Sequence, residues 1–304
     1  MNQAIEVDCD QTFTMDKRQE GRDFSKISPS AKSLLMLKGL TRIPYAREAA
    51  ELMSYPDKYH PDFENTDLAF WTRVVHFEAR YWSIDQLFSD LDIHNVLELS
   101  SGFSFRGLSM VQEKNIHYVD TDLENIIEYK KELVKKLVEH YNTAPGKLDM
   151  LPLNVLDEKQ FNLIVDSFED GPLVIVNEGL LMYLNSQEKE KLCKIISGVL
   201  ARKGGFWITA DIYRRTTLTR LRDDKDELKE LTDQQHIEEN MFESFDAAKE
   251  FFRKQGFIID MESTMDYSKI TSIPYLFKNA TETELNAMRA LPQAQTTWRL
   301  KLGK

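Results

Sequence analysis

The densest chemical signal in this chain is the run Val96-Leu97-Glu98-Leu99-Ser100-Ser101-Gly102-Phe103-Ser104-Phe105-Arg106-Gly107. A short apolar stretch carries an acid, Glu98, turns through small residues, and opens into helix-forming sequence. That layout lets a nucleotide-like ligand come close to the backbone. Gly102 has no β-carbon to collide with such a ligand. Three further pieces follow in order: the acids Asp120 and Asp122, the pair Asn154-Val155, and Val174-Ile175-Val176-Asn177-Glu178. An acid at Asp120 or Asp122 can accept two hydrogen bonds from a ribose diol. Asn154 can pair with the amino group of adenine while the Val155 amide donates to a ring nitrogen. Together the pieces suggest S-adenosyl-L-methionine as the ligand. Its methionine carboxylate needs cations, and Lys32 and Arg80 are the candidates. The arginine fork can donate two parallel hydrogen bonds.

The elements that must position these residues read as strands alternating with helices. Val96–Leu99, Ile116–Asp120, Leu148–Pro152, Pro172–Asn177 and Phe206–Ala210 are expected strands. Between them lie the expected helices Phe105–Lys114, Glu124–Tyr141, Glu158–Phe168 and Ser186–Arg202, the last capped at its start by a hydroxyl and an early acid. Repeated strand–helix units imply a mostly parallel sheet with helices on both faces. Ligands bind such sheets beyond the carboxyl ends of the strands, and Gly102, Asp120/Asp122, Asn154, Glu178 and Asp211 all fall there. Helix Ser244–Gln255 and strand Phe257–Met261 resume the pattern, and Thr297–Leu302 is expected as a last, antiparallel strand beside the previous one. Upstream, Ser28-Pro29 starts a helix running to Leu40, Pro44 opens another through Met53, and Thr66 or Asp67 caps a long one to about Asp90. The expected organisation is a flexible stretch over residues 1–25, an N-terminal helical cap over 26–92, and a sheet domain over 93–304 with an inserted helical segment at about 213–243.

Composition narrows the function classes. The chain has 304 residues, 42% apolar and 29% charged, with a formal charge of −11. The acidic balance argues against a nucleic-acid binder or a protein lying on anionic membranes. Two cysteines, Cys9 and Cys193, make neither a disulfide framework nor a CxxC metal site, and point to a reducing cytoplasm. The six histidines show no paired ligand spacing, so no metal is expected. No stretch is apolar and long enough to span a bilayer, and the polar N-terminus lacks a signal-peptide pattern.

At this level of detail the chain resembles the leucine carboxyl methyltransferase family, class I S-adenosylmethionine-dependent methyltransferases, over about residues 28 to 260. The carrying segments are Ser30-Ala31-Lys32, Phe77-Glu78-Ala79-Arg80, Glu98-Leu99-Ser100-Ser101-Gly102, Tyr118-Val119-Asp120-Thr121-Asp122-Leu123, Leu153-Asn154-Val155-Leu156-Asp157 and Asn177-Glu178-Gly179-Leu180-Leu181-Met182-Tyr183-Leu184. It looks closest to compact bacterial members. The resemblance implies an α/β, Rossmann-like class I sheet, mostly parallel with an antiparallel last strand. It implies that Lys32 and Arg80 hold the cofactor carboxylate, that Glu98, Ser100 and Gly102 belong to the loop facing its methionine part, and that Asp122 rather than Asp120 holds the ribose. Asn154 and Val155 would meet adenine, and Glu178 would line the amino-group side. Two positions depart from the family: Ser100 stands where glycine is usual, and Asn154 where aspartate is frequent. The segment after Tyr213 shows no match to the phosphatase-methylating members, so their protein substrate does not carry over.

The expected reaction is methyl transfer by in-line displacement, with the nucleophile about 3 to 3.5 Å from the methyl carbon. The acceptor is a small molecule or peptide presenting an oxygen. A carboxylate needs no base; a hydroxyl needs one, for which Asp211 or Tyr213 are candidates. Two other classes compete: a dinucleotide-dependent oxidoreductase, which the absence of GxGxxG argues against, and a non-catalytic cofactor-binding protein on the same fold.

Overall fold

The computed structural model describes residues 28–138, 144–215 and 237–303. Within them seven strands form one sheet: β1 (Asn95–Leu99), β2 (His117–Asp122), β3 (Lys147–Pro152), β4 (Leu173–Asn177), β5 (Gly205–Tyr213), β6 (Phe257–Glu262) and β7 (Gln295–Leu302). Their order is β3-β2-β1-β4-β5-β7-β6. The first five run parallel, and β7 lies antiparallel between β5 and β6. The last strand is therefore antiparallel beside β6, as the sequence implied, and beside β5 as well. Chain order reverses between β1 and β4, which opens a crevice above their carboxyl ends.

The described helices are α1 (Ser28–Lys38), α2 (Ala46–Ser54), α3 (Leu68–Phe88), α4 (Arg106–Glu113), α5 (Glu124–Leu137), α6 (Glu158–Val165), α7 (Ser186–Lys203), α8 (Phe245–Lys254), α9 (Ile273–Asn279) and α10 (Glu282–Ala290). Strand residues alternate between two cores, as the two-residue period of a strand requires. Val96, Val174, Val176 and Ile208 pack with Ile84 and Leu87 of α3 and Val111 of α4. Leu97, Leu99, Ile175 and Trp207 pack on the other face with Phe161 of α6, Leu192 and Ile196 of α7, and Phe252 of α8. A third core joins α1 and α2 to Tyr81 of α3, Leu108 of α4 and Leu133 of α5.

Local chemistry sets the ends. Asp67 caps α3 by accepting from the Ala69 amide at 2.9 Å. The cap of α7 is Asn185, one residue before the expected hydroxyl: its side chain accepts from the Glu188 amide and Glu188 reaches back to the Asn185 amide. Gly205 opens β5 at φ +105, where a β-carbon would fall 2.0 Å from the Leu173 carbonyl oxygen, so only glycine lets β5 meet β4. Strand β2 runs two residues past the expected Asp120 and includes Asp122, and β5 runs on to Tyr213. Helix α5 closes at Leu137 rather than Tyr141, with the Val138 amide bonded to the Val134 carbonyl. The helices α9 and α10 lie in a stretch where the sequence showed no readable pattern. The start of α9 is held by Glu78 of α3, whose buried carboxylate accepts from the amides and hydroxyls of Thr271 and Ser272 at 2.6–2.9 Å. Trp71 of α3 stacks on Tyr275 of α9. The expected flexible N-terminus with Cys9, residues 139–143, and most of the expected insert (216–236) lie outside the described residues. Among the described residues no helix is long and apolar enough to cross a membrane.

Candidate functional site

The loop after β1 is shaped by two left-handed residues. Ser100 sits at φ 51 and Gly102 at φ 49. For serine this conformation costs about 1–2 kcal/mol, which explains why glycine suits the position. Backbone and side-chain bonds hold the loop in place. The Ser101 amide donates to the Thr121 carbonyl at 2.8 Å, and the Gly102 amide donates to Asp122 Oδ2 at 2.7 Å. Asp122 Oδ1 accepts from the Leu123 amide at 2.7 Å. Asp122 thus buckles the β1 loop to the end of β2, and each of its oxygens keeps one lone pair. A β-carbon on Gly102 would meet only Ala31 of α1, at 3.8 Å, so the loop leaves room on that side and α1 begins beside it. Lys32, the next residue, is exposed on the first turn of α1.

Beneath the loop lies a buried polar group. Glu98 and Asp120 face each other across the β1–β2 register. Tyr118 donates to Glu98 Oε2 at 2.6 Å, and Lys130 of α5 pairs with Asp120 at 2.8 Å and donates to Ser101 Oγ at 2.9 Å. Burial first, and then the Asp120 charge, hold the Glu98 carboxyl well above the usual carboxylate range. Glu98 was expected among the ligand-lining residues. Its carboxyl is instead fully buried under the loop, where it is part of the loop's support.

Above β4 three cations converge on one acid. Glu178 Oε1 accepts from Lys38 Nζ at 2.7 Å, Arg80 Nη2 at 3.1 Å and Arg80 Nε at 3.2 Å, and Oε2 accepts from Arg106 Nη2 at 3.3 Å. Burial alone would raise this carboxyl, but Lys38, Arg80 and Arg106 outweigh it and hold it far below its ordinary value. Arg106 is further fixed by Asp85, by the Tyr81 carbonyl at 3.2 Å, and by the Tyr81 ring at 3.8 Å. Arg80 donates a third bond, from Nη1 to the Tyr213 hydroxyl at 2.9 Å. Two of its five N–H groups have no acceptor among the described residues.

Next along the rim, Asp211 of β5 accepts four bonds. Gly179 reaches Oδ1 at 2.6 Å, and Asn177 Nδ2, the Leu180 amide and the Leu181 amide reach Oδ2 at 2.6, 2.6 and 3.0 Å. Asp211 was expected as a candidate base. Its three donors on Oδ2 and one on Oδ1 make it the clamp of the loop after β4, a structural part the sequence did not suggest. The other candidate, Tyr213, lies 2.8 Å from His76 Nε2. Burial pushes the phenol up to about 12. Burial and then the Arg80 charge push the His76 imidazole down to about 3. Neutral His76 thus shares a hydrogen bond with the phenol, whose oxygen accepts from Arg80. Met182, Tyr183, Ile237 and Met241 surround Tyr213.

Beyond β3, Asn154 is exposed, and its Oδ1 accepts from the Leu156 amide at 3.0 Å in a local turn. The Val155 amide has no acceptor among the described residues. Along the carboxyl edge the order is therefore Asn154–Val155, Asp122, the Ser100–Gly102 loop, Glu178 with Arg80, and Tyr213. Lys38, Arg106, Lys130 and His76 were missed by sequence reasoning. Lys38 and Lys130 carried a signal: each is a cation that the helical period turns toward the apolar side. Among the described residues no group of three or more His, Cys, Asp or Glu could hold a metal.

The fit to S-adenosylmethionine rests on these observations. The loop has open space at Gly102. Two free lone pairs of Asp122 stand at the end of β2, and an unpaired amide stands at Val155 beyond β3. A deeply ionised carboxylate and a guanidinium with spare donors stand above β4.

Comparison with known proteins agrees in kind. Residues 27–197, more than half of the chain, match the model of the leucine carboxyl methyltransferase family. No curated protein matches the chain. Among solved structures, a magnesium protoporphyrin IX methyltransferase from Synechocystis PCC 6803, crystallised with SAH, aligns at 9% identity over 86% of this chain and 96% of its own, with a TM-score of 0.48. A mitomycin 7-O-methyltransferase aligns at 10% identity over 86% of this chain and 69% of its own, with a TM-score of 0.46. A plantazolicin methyltransferase crystallised with SAH aligns at 10% identity over 92% and 99%, with a TM-score of 0.43. At such identities and scores nothing about substrate or residue roles passes to this chain.

Proposed function

The chain belongs to the leucine carboxyl methyltransferase family and is an S-adenosylmethionine-dependent methyltransferase; from that premise we propose that it methylates a carboxylate oxygen of a small molecule or peptide. The cofactor supplies a methyl group made electrophilic by the positive sulfur. The protein's part is to orient the two reactants and exclude water. Asp122 accepts the ribose hydroxyls on its free lone pairs, and the Val155 amide donates to the adenine ring, with Asn154 beside it. Gly102, with Ser100, lets the backbone approach the methionine part. Arg80 gives its two spare N–H groups to the cofactor carboxylate, Lys32 adds charge from the first turn of α1, and Glu178 faces the ammonium. Residues before β1 act as a cap whose last helix, α3, carries Arg80 and His76 to the rim.

The observation that favours a carboxylate acceptor is the set of groups around Tyr213. Asp211 is engaged by four donors of its own chain, three of them on Oδ2, the Tyr213 phenol is held protonated, and His76 is held at about 3. Neither Tyr213 nor His76 is a base matched to neutral pH, and Asp211 is engaged as the clamp of the loop after β4. An alcohol would need such a base, whereas an ionised carboxylate attacks without one. Incubating the protein with radiolabelled cofactor and fractionated lysate tests this. Label released by mild alkali as methanol is expected of a methyl ester. Alkali-stable label on the acceptor would overturn the carboxylate assignment while leaving the methyl transfer itself standing.

A further inference from the structure

Glu178 is unevenly loaded. Three donors crowd Oε1, although a carboxylate oxygen offers about two lone pairs, while Oε2 takes one donor at 3.3 Å. Two of the three cations are fixed elsewhere. Arg80 is tied to Tyr213, and Arg106 is tied to Asp85 and the Tyr81 carbonyl and stacked on the Tyr81 ring. The Lys38 ammonium has only Glu178 as a side-chain hydrogen-bond partner among the described residues. It hangs on a flexible stem at the last residue of α1, directly before Gly39. Burial pushes its pKa below that of an ordinary lysine, against the pull of Glu178 and helped by Arg80 and Arg106. It is therefore the least firmly held of the three cations. Its place is also particular. Helix α1 starts beside Gly102 at the end of β1 and finishes with Lys38 at the end of β4, so it bridges the two strand ends where the sheet order reverses.

We propose that Lys38 is an internal occupant of the ammonium position on Glu178, which the amino group of the cofactor displaces, and that it thereby sets the enzyme's affinity for ligands carrying that group. The inference rests on the reading of Glu178 given above. One ammonium exchanges for another at the same oxygen, so the carboxylate never stands uncompensated. The incoming ammonium must compete with a tethered one, and apparent affinity falls by the fraction of molecules in which Lys38 is seated. Arg80 and Arg106 stay in place throughout.

Calorimetric titration of wild type and Lys38→Met separates the possibilities. The probes are S-adenosylhomocysteine, which carries the ammonium, and 5′-methylthioadenosine, which lacks the amino-acid part. The variant is expected to bind S-adenosylhomocysteine about tenfold more tightly, with methylthioadenosine unchanged. Unchanged or weaker binding of S-adenosylhomocysteine, or an equal change for both probes, overturns the proposal. A second measurement needs only wild type: acetic anhydride labelling of Lys38, read by mass spectrometry. Labelling is expected to be faster with S-adenosylhomocysteine than with methylthioadenosine, and equal or slower labelling refutes displacement. If S-adenosylhomocysteine does not bind wild type at all, the cofactor reading falls together with the inference. If it binds and Lys38 is indifferent, the inference alone falls.

Discussion

Replacing Glu178 by glutamine keeps the shape of the side chain and one acceptor oxygen, but removes the negative charge shared by Lys38, Arg80 and Arg106. The side chains of these cations are only 9, 3 and 1% exposed, so water cannot take over the role of the carboxylate. Breaking a buried pair by removing one partner costs about 3–5 kcal/mol. The retained amide oxygen places Glu178→Gln near the lower end, at about 3 kcal/mol. In a protein of this size each kcal/mol shifts the melting temperature by about 2–4 °C, so a fall of about 6–12 °C is expected in a thermal melt near pH 7. The cluster also predicts a specific non-additivity. Lys38→Met alone leaves Glu178 with both guanidiniums and costs little. Added to Glu178→Gln it removes one of the two cations, Lys38 and Arg80, that lose their salt-bridge partner while Arg106 keeps Asp85, so the double variant should be more stable than Glu178→Gln alone by about 1–2 kcal/mol. The pH dependence has a definite sign. Burial opposes ionisation of Glu178, but the three cations outweigh it and depress the folded-state pKa. Its contribution is therefore complete above the unfolded value of about 4.3 and is lost as pH falls further toward the folded one. The gap between wild type and variant should narrow on acidification. A Glu178→Gln protein melting within about 2 °C of wild type at neutral pH, or a double variant no more stable than it, would refute the charge-sharing account.

Two other perturbations follow from the loops. Ser100→Gly removes a left-handed serine worth about 1–2 kcal/mol and adds about 0.4–1 kcal/mol of unfolded-chain freedom, so a net gain of roughly 0.5–1 kcal/mol is expected in denaturant unfolding. A loss of stability would mean that the serine is not strained. Asp211→Asn must turn an amide group toward at least one of the N–H donors that now meet a carboxylate oxygen, at a cost of about 2–3 kcal/mol. The readout is hydrogen exchange: the amides of Gly179, Leu180 and Leu181 should lose protection, and retained protection would show that Asp211 is not the clamp.

Much of the fold was legible because it is written in period and punctuation. The runs Val96–Leu99, broken only by Glu98, and Val174–Val176 are apolar stretches of the kind that parallel strands show when both faces are covered. Asp67 at the start of α3 and Gly204-Gly205 after α7 mark their boundaries chemically. The helices α9 and α10 were not legible, because α9 is held mainly by tertiary bonds from Glu78 and by Trp71, two hundred residues away in sequence. Within the site, residues at strand ends could be found by counting, since topology brings those ends together. Arg106 and His76 could not, and Lys38 showed only as a cation on the apolar side of its helix: each reaches the site from a helix, and which face a side chain takes depends on how the helices seat. The clamping part of Asp211 was hidden for a related reason. Its type suits a base, and only the four donors around it give its role.

The same physics explains why departures from the family pattern at the β1 loop are tolerated. The loop's course is fixed from outside it, by the Thr121 carbonyl on Ser101, the Asp122 carboxylate on Gly102, and Lys130 on Ser101 Oγ. With these three ties a left-handed serine is a bounded local cost and not a change of path. The ties also couple binding to the sheet beneath, because Lys130 joins the loop to Asp120 and Asp120 faces Glu98. The buried carboxyls therefore act on the ligand only through the loop's position. Asp122 differs, since one carboxylate both buckles the loop and presents its remaining lone pairs at the rim. On the proposed reading, shape and recognition at the end of β2 are carried by a single side chain. A change there must disturb both together, whereas a change at Glu98 or Lys130 disturbs the loop first and the ligand only as a consequence.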